Sequence, residues 1–395
     1  GGIAREIYHT IDGLDVQAYL KQLADEVENN PRIQLLMETT IEKIDGFVGN
    51  FKTRVKTGNE TRDLSHGVII VATGAEEYQP VEFLHGQDKR VTTQTALEKQ
   101  MLLQPESFTS VKNVVMIQCV GSRNDERPYC SRICCTEAIK NALKLKALRP
   151  ELNIYVLYRD IRTYGFKEDY YEKARENGVL FIRYDPENEP RVEKVGEKLQ
   201  VTVHEHILHD DLLVQADLLV LSPGVVAPEQ NEGLSQMLKV PLNADGFFLE
   251  AHMKLRPVDF ATEGVFLAGL AHSPKSIDET LSQASAAVAR ALTYLSKTHL
   301  ETIGTISEVD EKKCIGCALC ESLCPYQAIE VVTKRTVVGE KLVAQVNKAL
   351  CKGCGVCAAS CRSGSINLKG FTNEEVFAQI NELTCGWTCE SQGAV

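Results

Sequence analysis

The chain carries one cysteine pattern twice near its C-terminus: residues 314–325 are CIGCALCESLCP, and residues 351–361 are CKGCGVCAASC. Each stretch follows the spacing C-x2-C-x2-C-x3-C. Together they contain eight of the 14 cysteines in the chain. A spacing that recurs without change indicates a repeated ligand-bearing unit, whereas a single C-x2-C is ambiguous.

This spacing is typical of bacterial ferredoxins with two [4Fe–4S] clusters, in which the fourth cysteine of each run ligates the cluster of the other run. It assigns one cluster to Cys314, Cys317, Cys320 and Cys361. The other cluster takes Cys351, Cys354, Cys357 and Cys324. Iron–sulfur clusters are favoured over zinc because no histidine interrupts the runs. The glycines at 316 and 353 keep the loops small.

Composition limits the class of protein. A length of 395 residues suggests two or three domains, and 44% hydrophobic with 25% charged residues is ordinary for a globular chain. The net charge of −11 argues against nucleic acid as a main partner. We find no apolar run of membrane-spanning length and no signal peptide, so we expect a reducing, cytoplasmic setting.

The N-terminal part alternates helix and strand patterns. Helical spacing predicts a helix from Asp15 to about Asn29. Apolar runs predict strands over 33–36, 41–48 and 51–55. A further buried strand ends in the turn Ala72-Thr73-Gly74. The chain then enters a region in which strands and helices alternate regularly.

That region begins with a βαβ pattern, which predicts a parallel strand pair. Its strands are expected over 111–119 and 154–158, with a helix over 133–148 between them. Another helix is expected over 166–178 and another strand over 179–183. A β-meander follows over 199–206 and 212–214, and a last buried strand over 216–221. Beyond it, a buried strand ends at Gly269 and a small-residue helix runs from about 278 to 294.

Cysteines occupy the loop where a dinucleotide-binding unit carries G-x-G-x-x-G, the turn that holds a pyrophosphate against a helix N-terminus. That fingerprint is absent, and the loop and first helical turn contain Cys119, Cys130, Cys134 and Cys135. Four cysteines are the right number for a third [4Fe–4S] cluster. The alternative is that they are buried as small apolar side chains, with one redox disulfide among them. Arg123 and Arg132 either balance cluster charge or lie on the surface.

Two segments resemble the flavoproteins with two dinucleotide domains, such as thioredoxin reductase. They are the strand that ends at Thr73-Gly74 and the stretch Gly264-Val265-Phe266-Leu267-Ala268-Gly269. In that family the first closes near FAD, and the second places backbone amides by the flavin. Gly1-Gly2 resembles the glycine pair after the ribose-binding acidic residue. If the two correspond, the resemblance implies that a leading βαβ unit of roughly thirty residues is absent from this chain or supplied by another polypeptide.

Longer stretches resemble the family of heterodisulfide reductase A subunits. They are residues 11–17 (IDGLDVQ), 46–51 (GFVGNF), 119–123 (CVGSR), 129–135 (YCSRICC) and 274–277 (PKSI). The resemblance implies FAD, a cluster on the four loop cysteines and two ferredoxin-type clusters. It implies contacts to FAD from Gly1, Gly2, Thr73, Gly74, Gly269, Lys275, Ser276 and Ile277.

The predicted architecture is an α/β, thioredoxin-reductase-like core with an incomplete N-terminal part, followed by an α+β ferredoxin domain. The FAD domain is expected in two parts, 1–105 and 225–302, around a cluster-bearing insert at 106–224. The ferredoxin domain is expected over 303–370 and a tail over 371–395. Cys385 and Cys389 in the tail are free thiols, a disulfide-capable pair or ligands shared with a partner.

Lys275 is the candidate catalytic residue, because a cation beside the flavin ring stabilises its reduced, anionic form. The alternative is a solvated lysine at a helix start. The resemblance implies that the chain is one component of a soluble complex that performs flavin-based electron bifurcation or confurcation. Its implied partners are ferredoxin or hydrogenase- or dehydrogenase-type subunits. A homodimer within the complex is one implied arrangement. The alternatives are a ferredoxin-type relay with a vestigial flavin domain and, less well supported, an NAD(P)H-dependent flavin reductase.

Overall fold

A computed structural model describes residues 2–300, 304–336 and 339–389. It divides the chain into two compact units, Gly1–Thr293 and Tyr294–Val395. The larger unit contains the predicted strand–helix alternation, and the smaller contains both ferredoxin-type cysteine runs. The elements of the two units confirm the predicted α/β and α+β classes. Among the described residues, no helix is both long and apolar enough to cross a membrane.

The larger unit alternates strands with helices over residues 91–183 and has runs of consecutive strands before and after this region. Its strands, in chain order, are β1 (Thr39–Asp45), β2 (Phe51–Thr57), β3 (Glu60–His66), β4 (Ile69–Val71), β5 (Glu76–Glu77), β6 (Val91–Thr93), β7 (Asn113–Val120), β8 (Asn153–Tyr158), β9 (Val179–Arg183), β10 (Arg191–Val195), β11 (Lys198–Glu205), β12 (Asp210–Ala216), β13 (Leu218–Pro223), β14 (Val225–Val226) and β15 (Val265–Leu267). Its helices are α1 (Val16–Glu28), α2 (Gln94–Leu103), α3 (Cys134–Leu148), α4 (Glu168–Glu176), α5 (Asn231–Leu238) and α6 (Ile277–Leu295).

The N-terminal elements match the prediction in part. Asp15 caps α1, since its carboxylate accepts a hydrogen bond from the Ala18 N–H at 2.9 Å. Strands β1, β2 and β3 form an antiparallel sheet, of which β3 was not predicted. The strand expected over 33–36 is wrong: these residues form no strand, and Ile33 and Leu35 are exposed. An apolar run forms a strand only where a neighbouring strand pairs with its backbone.

A five-stranded parallel sheet of order β6-β13-β7-β8-β9 organises the larger unit. Helices pack on one face, where Leu97, Met116 and Ile139 are buried. The meander β10-β11-β12 covers the other face, where Ile117 packs with Val201. Because both faces are covered, β7 is apolar almost throughout instead of alternating.

This sheet extends beyond the insert that the sequence predicted. Strand β6 and helix α2 both precede residue 105. Nevertheless, β6 pairs with β13, and α2 packs against α3. The five-stranded sheet therefore includes elements from both sides of the expected boundary at residue 105. Two short ladders complete the unit: β4 pairs in parallel with β15, and β5 pairs antiparallel with β14. The two parts of the expected FAD domain thus meet through β4 and β15.

The smaller unit contains two similar halves. Its elements are β16 (Ser307–Val309), α7 (Leu319–Leu323), β17 (Ile329–Thr336), β18 (Gly339–Val346), α8 (Val356–Ser360), β19 (Ile366–Leu368) and α9 (Asn373–Cys389). Strand β16 pairs with β19, and β17 pairs with β18, both antiparallel. A one-turn helix lies within each cysteine run, so the repeated spacing produces a repeated local structure.

Candidate functional site

The smaller unit gathers cysteines from both runs around one cavity. Its lining includes four cysteines: Cys314, Cys317, Cys320 and Cys361. Cys361 comes from the second run, whereas Cys324 of the first run does not line this cavity. The sulfur-bearing residues are thus arranged as the crossed ligand pattern of two-cluster ferredoxins requires.

Hydrogen bonds surround two of these sulfurs. The Ala344 N–H donates to Cys314 Sγ at 3.4 Å. Cys361 Sγ lies 3.3 Å from Ser365 Oγ and 3.5 Å from Ser363 Oγ. Burial opposes ionisation of Cys361, but these hydroxyls and the backbone N–H groups of Ser365 and Ile366 bring the pKa of the thiol to about 6. The site therefore favours the thiolate, which is the form that binds iron.

The second set is organised by Ser307 on β16. Its N–H donates to Cys351 Sγ at 3.4 Å, and its hydroxyl lies 3.1 Å from Cys357 Sγ. Cys324 Sγ accepts a hydrogen bond from the Ala328 N–H at 3.3 Å. Hydrogen bonds to cluster sulfurs and thiolates are one of the factors that set reduction potentials. Both ferredoxin-type sets are thus supplied with hydrogen-bond donors.

The glycine at the same position in each run has a steric reason. Gly316 and Gly353 have φ values of 68° and 64°. A Cβ on Gly316 would lie 2.6 Å from Leu342 Cβ, and one on Gly353 would lie 2.5 Å from the Thr305 carbonyl oxygen. Only glycine combines a positive φ with the absence of a Cβ, so close packing against neighbouring residues explains the glycine in each of these tight loops.

In the larger unit, Cys119 lies in a β-bulge at the carboxyl end of β7. Ile117 faces Leu221 and Val120 faces Pro223, so Gln118 and Cys119 together oppose one residue of β13. Cys119 has a φ of 64°, a left-handed conformation that costs about 1–3 kcal/mol for a residue other than glycine. Bulges re-aim side chains beside functional sites. The sequence carried no signal for this one.

The other three cysteines of this set converge on Cys119. Cys130 lies on the loop, and Cys134 and Cys135 form the start of α3. Cys134 Sγ donates to the Pro223 carbonyl and Cys135 Sγ to the Asp160 carbonyl, each at 3.5 Å. Burial raises the pKa of the Cys134 thiol, and mutual repulsion among the four sulfurs adds to the rise. The structure therefore brings all four together, and three of them are buried.

Arginines surround this cysteine set. Burial raises the pKa of Cys119, whereas Arg123 and Arg159 oppose that rise. Burial also raises the pKa of Cys135 to about 11, with Arg162 opposing. Arg123 forms an ion pair with Asp160 at 2.6 Å and approaches Cys119 Sγ at 3.9 Å. Arg123 is therefore part of the site rather than a free surface charge.

The donor set fits a [4Fe–4S] cluster. Within the described ranges, no three or more His, Cys, Asp or Glu side chains are placed to share one metal ion. A [4Fe–4S] cluster takes one cysteine at each of four irons, so its ligands need not converge on a single atom. The N-terminus of α3 favours negative charge at Cys134 and Cys135. Both amide atoms of Gln118, beside Cys119, are buried and have no hydrogen-bond partner among the residues that the structure describes.

Lys275 lies in the turn between β15 and α6 and is only 7% exposed. Its Nζ donates to the carbonyl of Gly269 at 2.8 Å and to the carbonyl and hydroxyl of Ser273 at 2.9 and 3.2 Å. Burial, reinforced by Arg132, lowers its pKa to about 8. The alternative of a solvated lysine at a helix start is therefore wrong.

The other candidate flavin contacts are partly occupied by the protein itself. Because β4 and β15 are parallel neighbours, Thr73-Gly74 and Gly269 follow strand ends at the same edge. The Gly269 N–H, expected to face the flavin, donates to Gln283 Oε1 at 2.8 Å. Ser276 binds Glu279 through its N–H and hydroxyl at the start of α6, where Ile277 is the first residue.

The N-terminal candidates are described only in part. Gly2 begins a short 3-10 helix, Gly2–Glu6, and Gly1 lies outside the described residues. Cys385 and Cys389 belong to helix α9, but their side chains are also outside the described part of the structure. The two parallel strands and the Lys275 turn are thus what the described residues offer to a flavin.

Arg132 joins the cysteine loop to the Lys275 turn. Its backbone N–H donates to Cys130 Sγ at 3.3 Å. Its guanidinium reaches Glu279 on α6 and the Pro274 carbonyl, the latter at 3.4 Å. Arg132 therefore connects the two candidate sites, a role that sequence reasoning left open.

Comparison with known proteins identifies the class first. A model of the family described as a 4Fe-4S dicluster domain matches residues 313–365. The chain is thus an iron–sulfur protein of the two-cluster ferredoxin type in its smaller unit. Solved structures that resemble it include the thioredoxin reductases of T. acidophilum and Lactococcus lactis, each with a TM-score of 0.49, at 15% and 13% identity, covering 75% of this chain and 88% of theirs.

Curated relatives identify the family. The A subunit of the H2:CoB-CoM heterodisulfide,ferredoxin reductase of Methanothermobacter marburgensis is 39% identical over 288 residues, covering 69% of this chain and 43% of the relative. The iron-sulfur A subunit of the CoB–CoM heterodisulfide reductase of Methanocaldococcus jannaschii is 37% identical over 337 residues, covering 80% and 50%. The chain belongs to the family of heterodisulfide reductase A subunits, and it spans half or less of the length of these relatives.

Proposed function

We propose that this chain is the electron-transferring, FAD- and iron–sulfur-containing part of a heterodisulfide-reductase-type oxidoreductase. It is proposed to hold three [4Fe–4S] clusters, one on the four cysteines of the larger unit and two in the ferredoxin domain. The names of its relatives support the reductase class. The arrangement of cysteines around Cys119 and around Cys361 supports the ligand sets.

The link made by Arg132 is the observation that carries this proposal. Its backbone contacts Cys130 Sγ, and its side chain contacts the turn that holds Lys275. A cluster on the four cysteines and a flavin beside Lys275 would therefore lie on either side of one residue. Short separation favours transfer of electrons between them, whereas a flavin placed elsewhere would leave Lys275 a buried cation without function.

The residues of this chain have separable roles. The cysteines hold the clusters, and Arg123, Arg159 and Arg162 offset their negative charge. Lys275 provides a positive charge that stabilises anionic flavin. When bound, FAD exchanges electron pairs and the clusters exchange single electrons. The finer proposal is bifurcation or confurcation within a cytoplasmic complex, with ferredoxin or hydrogenase- or dehydrogenase-type subunits as partners and a homodimer as one arrangement.

Cofactor content tests the proposal. The chain is purified anaerobically, and flavin, iron and acid-labile sulfide are measured per polypeptide. We expect about twelve irons, at four per cluster, with one FAD. About eight irons without flavin would instead identify a ferredoxin-type relay. For the finer proposal, the complex with its partner subunits must reduce a high-potential and a low-potential acceptor in equal amounts from one donor.

One observation favours the relay as a second candidate. The Gly269 N–H is already bonded to Gln283, and the Lys275 ammonium is satisfied by protein oxygens. A flavin that used either group would have to displace these bonds. Reconstitution with FAD discriminates the two candidates: bound flavin that titrates one to one supports the flavoprotein, and the lack of binding supports the relay.

A further inference from the structure

A buried hydrogen-bond chain lies beneath the Lys275 turn. Glu250 Oε2 lies 2.8 Å from His272 Nε2, and His272 Nδ1 lies 2.9 Å from Gln283 Nε2. Gln283 Oε1 in turn accepts the Gly269 N–H at 2.8 Å. The Glu250 and His272 side chains are 8% and 23% exposed, so this chain is largely shielded from water.

The donors in this chain fix the protonation of His272. The Gly269 backbone nitrogen can only donate, so the Gln283 atom that faces it is the amide oxygen. The Gln283 amide nitrogen then faces His272 Nδ1 and donates to it, which requires Nδ1 to carry no proton. The ring proton therefore lies on Nε2 and is donated to Glu250. Protonation of Nδ1 would break the bond to Gln283.

The charges around His272 favour this neutral form. Lys275 from the same turn and Arg132 from the cysteine loop both lower the pKa of His272, after burial as the main cause. Glu250 acts in the opposite direction. Gln283 on α6 completes the surroundings without a charge. The imidazole is thus held neutral among two cations and one carboxylate.

Gly269 connects this hydrogen-bond chain to Lys275. Its N–H is held by Gln283 and its carbonyl accepts from Lys275 Nζ at 2.8 Å, so the residue is held from both sides. We propose that Glu250, His272 and Gln283 are positioning residues that hold Gly269 and thereby fix the Lys275 ammonium in its turn. The functional importance of this arrangement rests on the proposed role of Lys275 beside a flavin. The hydrogen bonds that hold Lys275 do not involve a flavin.

The test measures Lys275 without flavin. Trace acetylation with acetic anhydride, followed by mass spectrometry of the Lys275 peptide from pH 6 to 11, is compared in the wild type and in Gln283→Leu. At pH 11, where the amine is largely neutral in both proteins, we expect the variant to react about tenfold faster because Lys275 becomes more accessible, equivalent to about 1.4 kcal/mol. Its pH profile moves upward, towards the ordinary lysine pKa of about 10.4. The matched control is Gln236→Leu on the exposed side of α5, which leaves rate and profile unchanged.

A second variant keeps the test independent of folding losses. Gln283→Glu retains an oxygen for the Gly269 N–H but places a carboxylate at His272 Nδ1. We expect His272 to become the imidazolium, with a titration midpoint above about 6.5, measured by long-range 1H–15N NMR. The proposal would be overturned if Lys275 in Gln283→Leu had the acetylation rate and pH profile of the wild type. An unchanged titration midpoint of His272 in Gln283→Glu would also overturn it. The absence of flavin in the purified chain would count only against the proposed function.

Discussion

Arg132 donates a hydrogen bond to the Glu279 carboxylate at 2.5 Å, across 147 positions of sequence. Arg132 belongs to the cysteine loop, and Glu279 lies in the first turn of α6 beside Ser276. The same carboxylate accepts the Ser276 N–H, as in a helix capping box. One glutamate thus stabilises the start of α6 and holds the cysteine loop beside the Lys275 turn.

Replacement of Arg132 tests this link through the reduction potential. We expect Arg132→Met to lower the midpoint potential of the cluster on the four loop cysteines by roughly 30–60 mV, because a nearby positive charge no longer stabilises the added electron. Arg132→Lys keeps the positive charge, and lysine must adopt the same left-handed backbone conformation as arginine at this position. The midpoint potential of the cluster in this variant should therefore stay near the wild-type value. Electron paramagnetic resonance during a redox titration measures the shift. Equal potentials in Arg132→Met and wild type would contradict the link.

Replacement of one loop cysteine tests the third cluster. Cys134→Ser should lose about four of about twelve irons, because its buried sulfur is one of the four proposed ligands. Iron and sulfide analysis after anaerobic purification measures the loss. Cys385→Ser serves as the comparison and should keep its full iron content. A Cys134→Ser protein that retained all its iron would remove this cluster.

Gly316 should not tolerate a side chain. We expect Gly316→Ala to destabilise the smaller unit by more than the roughly 1–3 kcal/mol that its left-handed backbone alone costs, because the added Cβ overlaps Leu342. Gly364→Ala is the matched control: it has a φ of 59° and open space around the new Cβ. Thermal unfolding and iron retention are compared. Similar losses in both variants would show that the overlap with Leu342 is relieved at no cost.

Lys275 should make stability depend on pH. Its folded pKa is about 8 against an ordinary value of about 10.4, so the unfolded chain binds more protons between these values. The stability of the wild type should therefore rise with pH between about 8 and 10.4, by up to roughly 3 kcal/mol. Below pH 8 the full cost of the buried charge is present. In Lys275→Met this rise should be missing.

The comparison of thermal unfolding at about pH 7 and at about pH 9.5 measures this difference. Other groups titrate in the same range, but they are common to both proteins and cancel in the difference between wild type and Lys275→Met. Parallel pH profiles for the two proteins would mean that Lys275 has an ordinary pKa in the folded chain.

Local patterns were predictable because neighbouring residues determine them. The strand expected over 179–183 has those bounds in the structure, and the helix expected over 133–148 begins at Cys134. Both belong to regular βαβ units, in which period and length suffice. The segment at 33–36 has an equally apolar pattern but no strand to pair with, so pattern alone was misleading.

By itself, the sequence determined the two ferredoxin-type cysteine runs, because ligand spacing within one short loop is a local property. Their crossed assignment was predicted from the spacing typical of two-cluster ferredoxins. The sequence also placed four cysteines near the start of α3. Only the tertiary structure decided that Cys119 lies in a bulge, that Lys275 is buried and that Arg132 reaches α6. These features depend on packing between segments distant in the chain, or on backbone strain, neither of which leaves a periodic trace in the sequence.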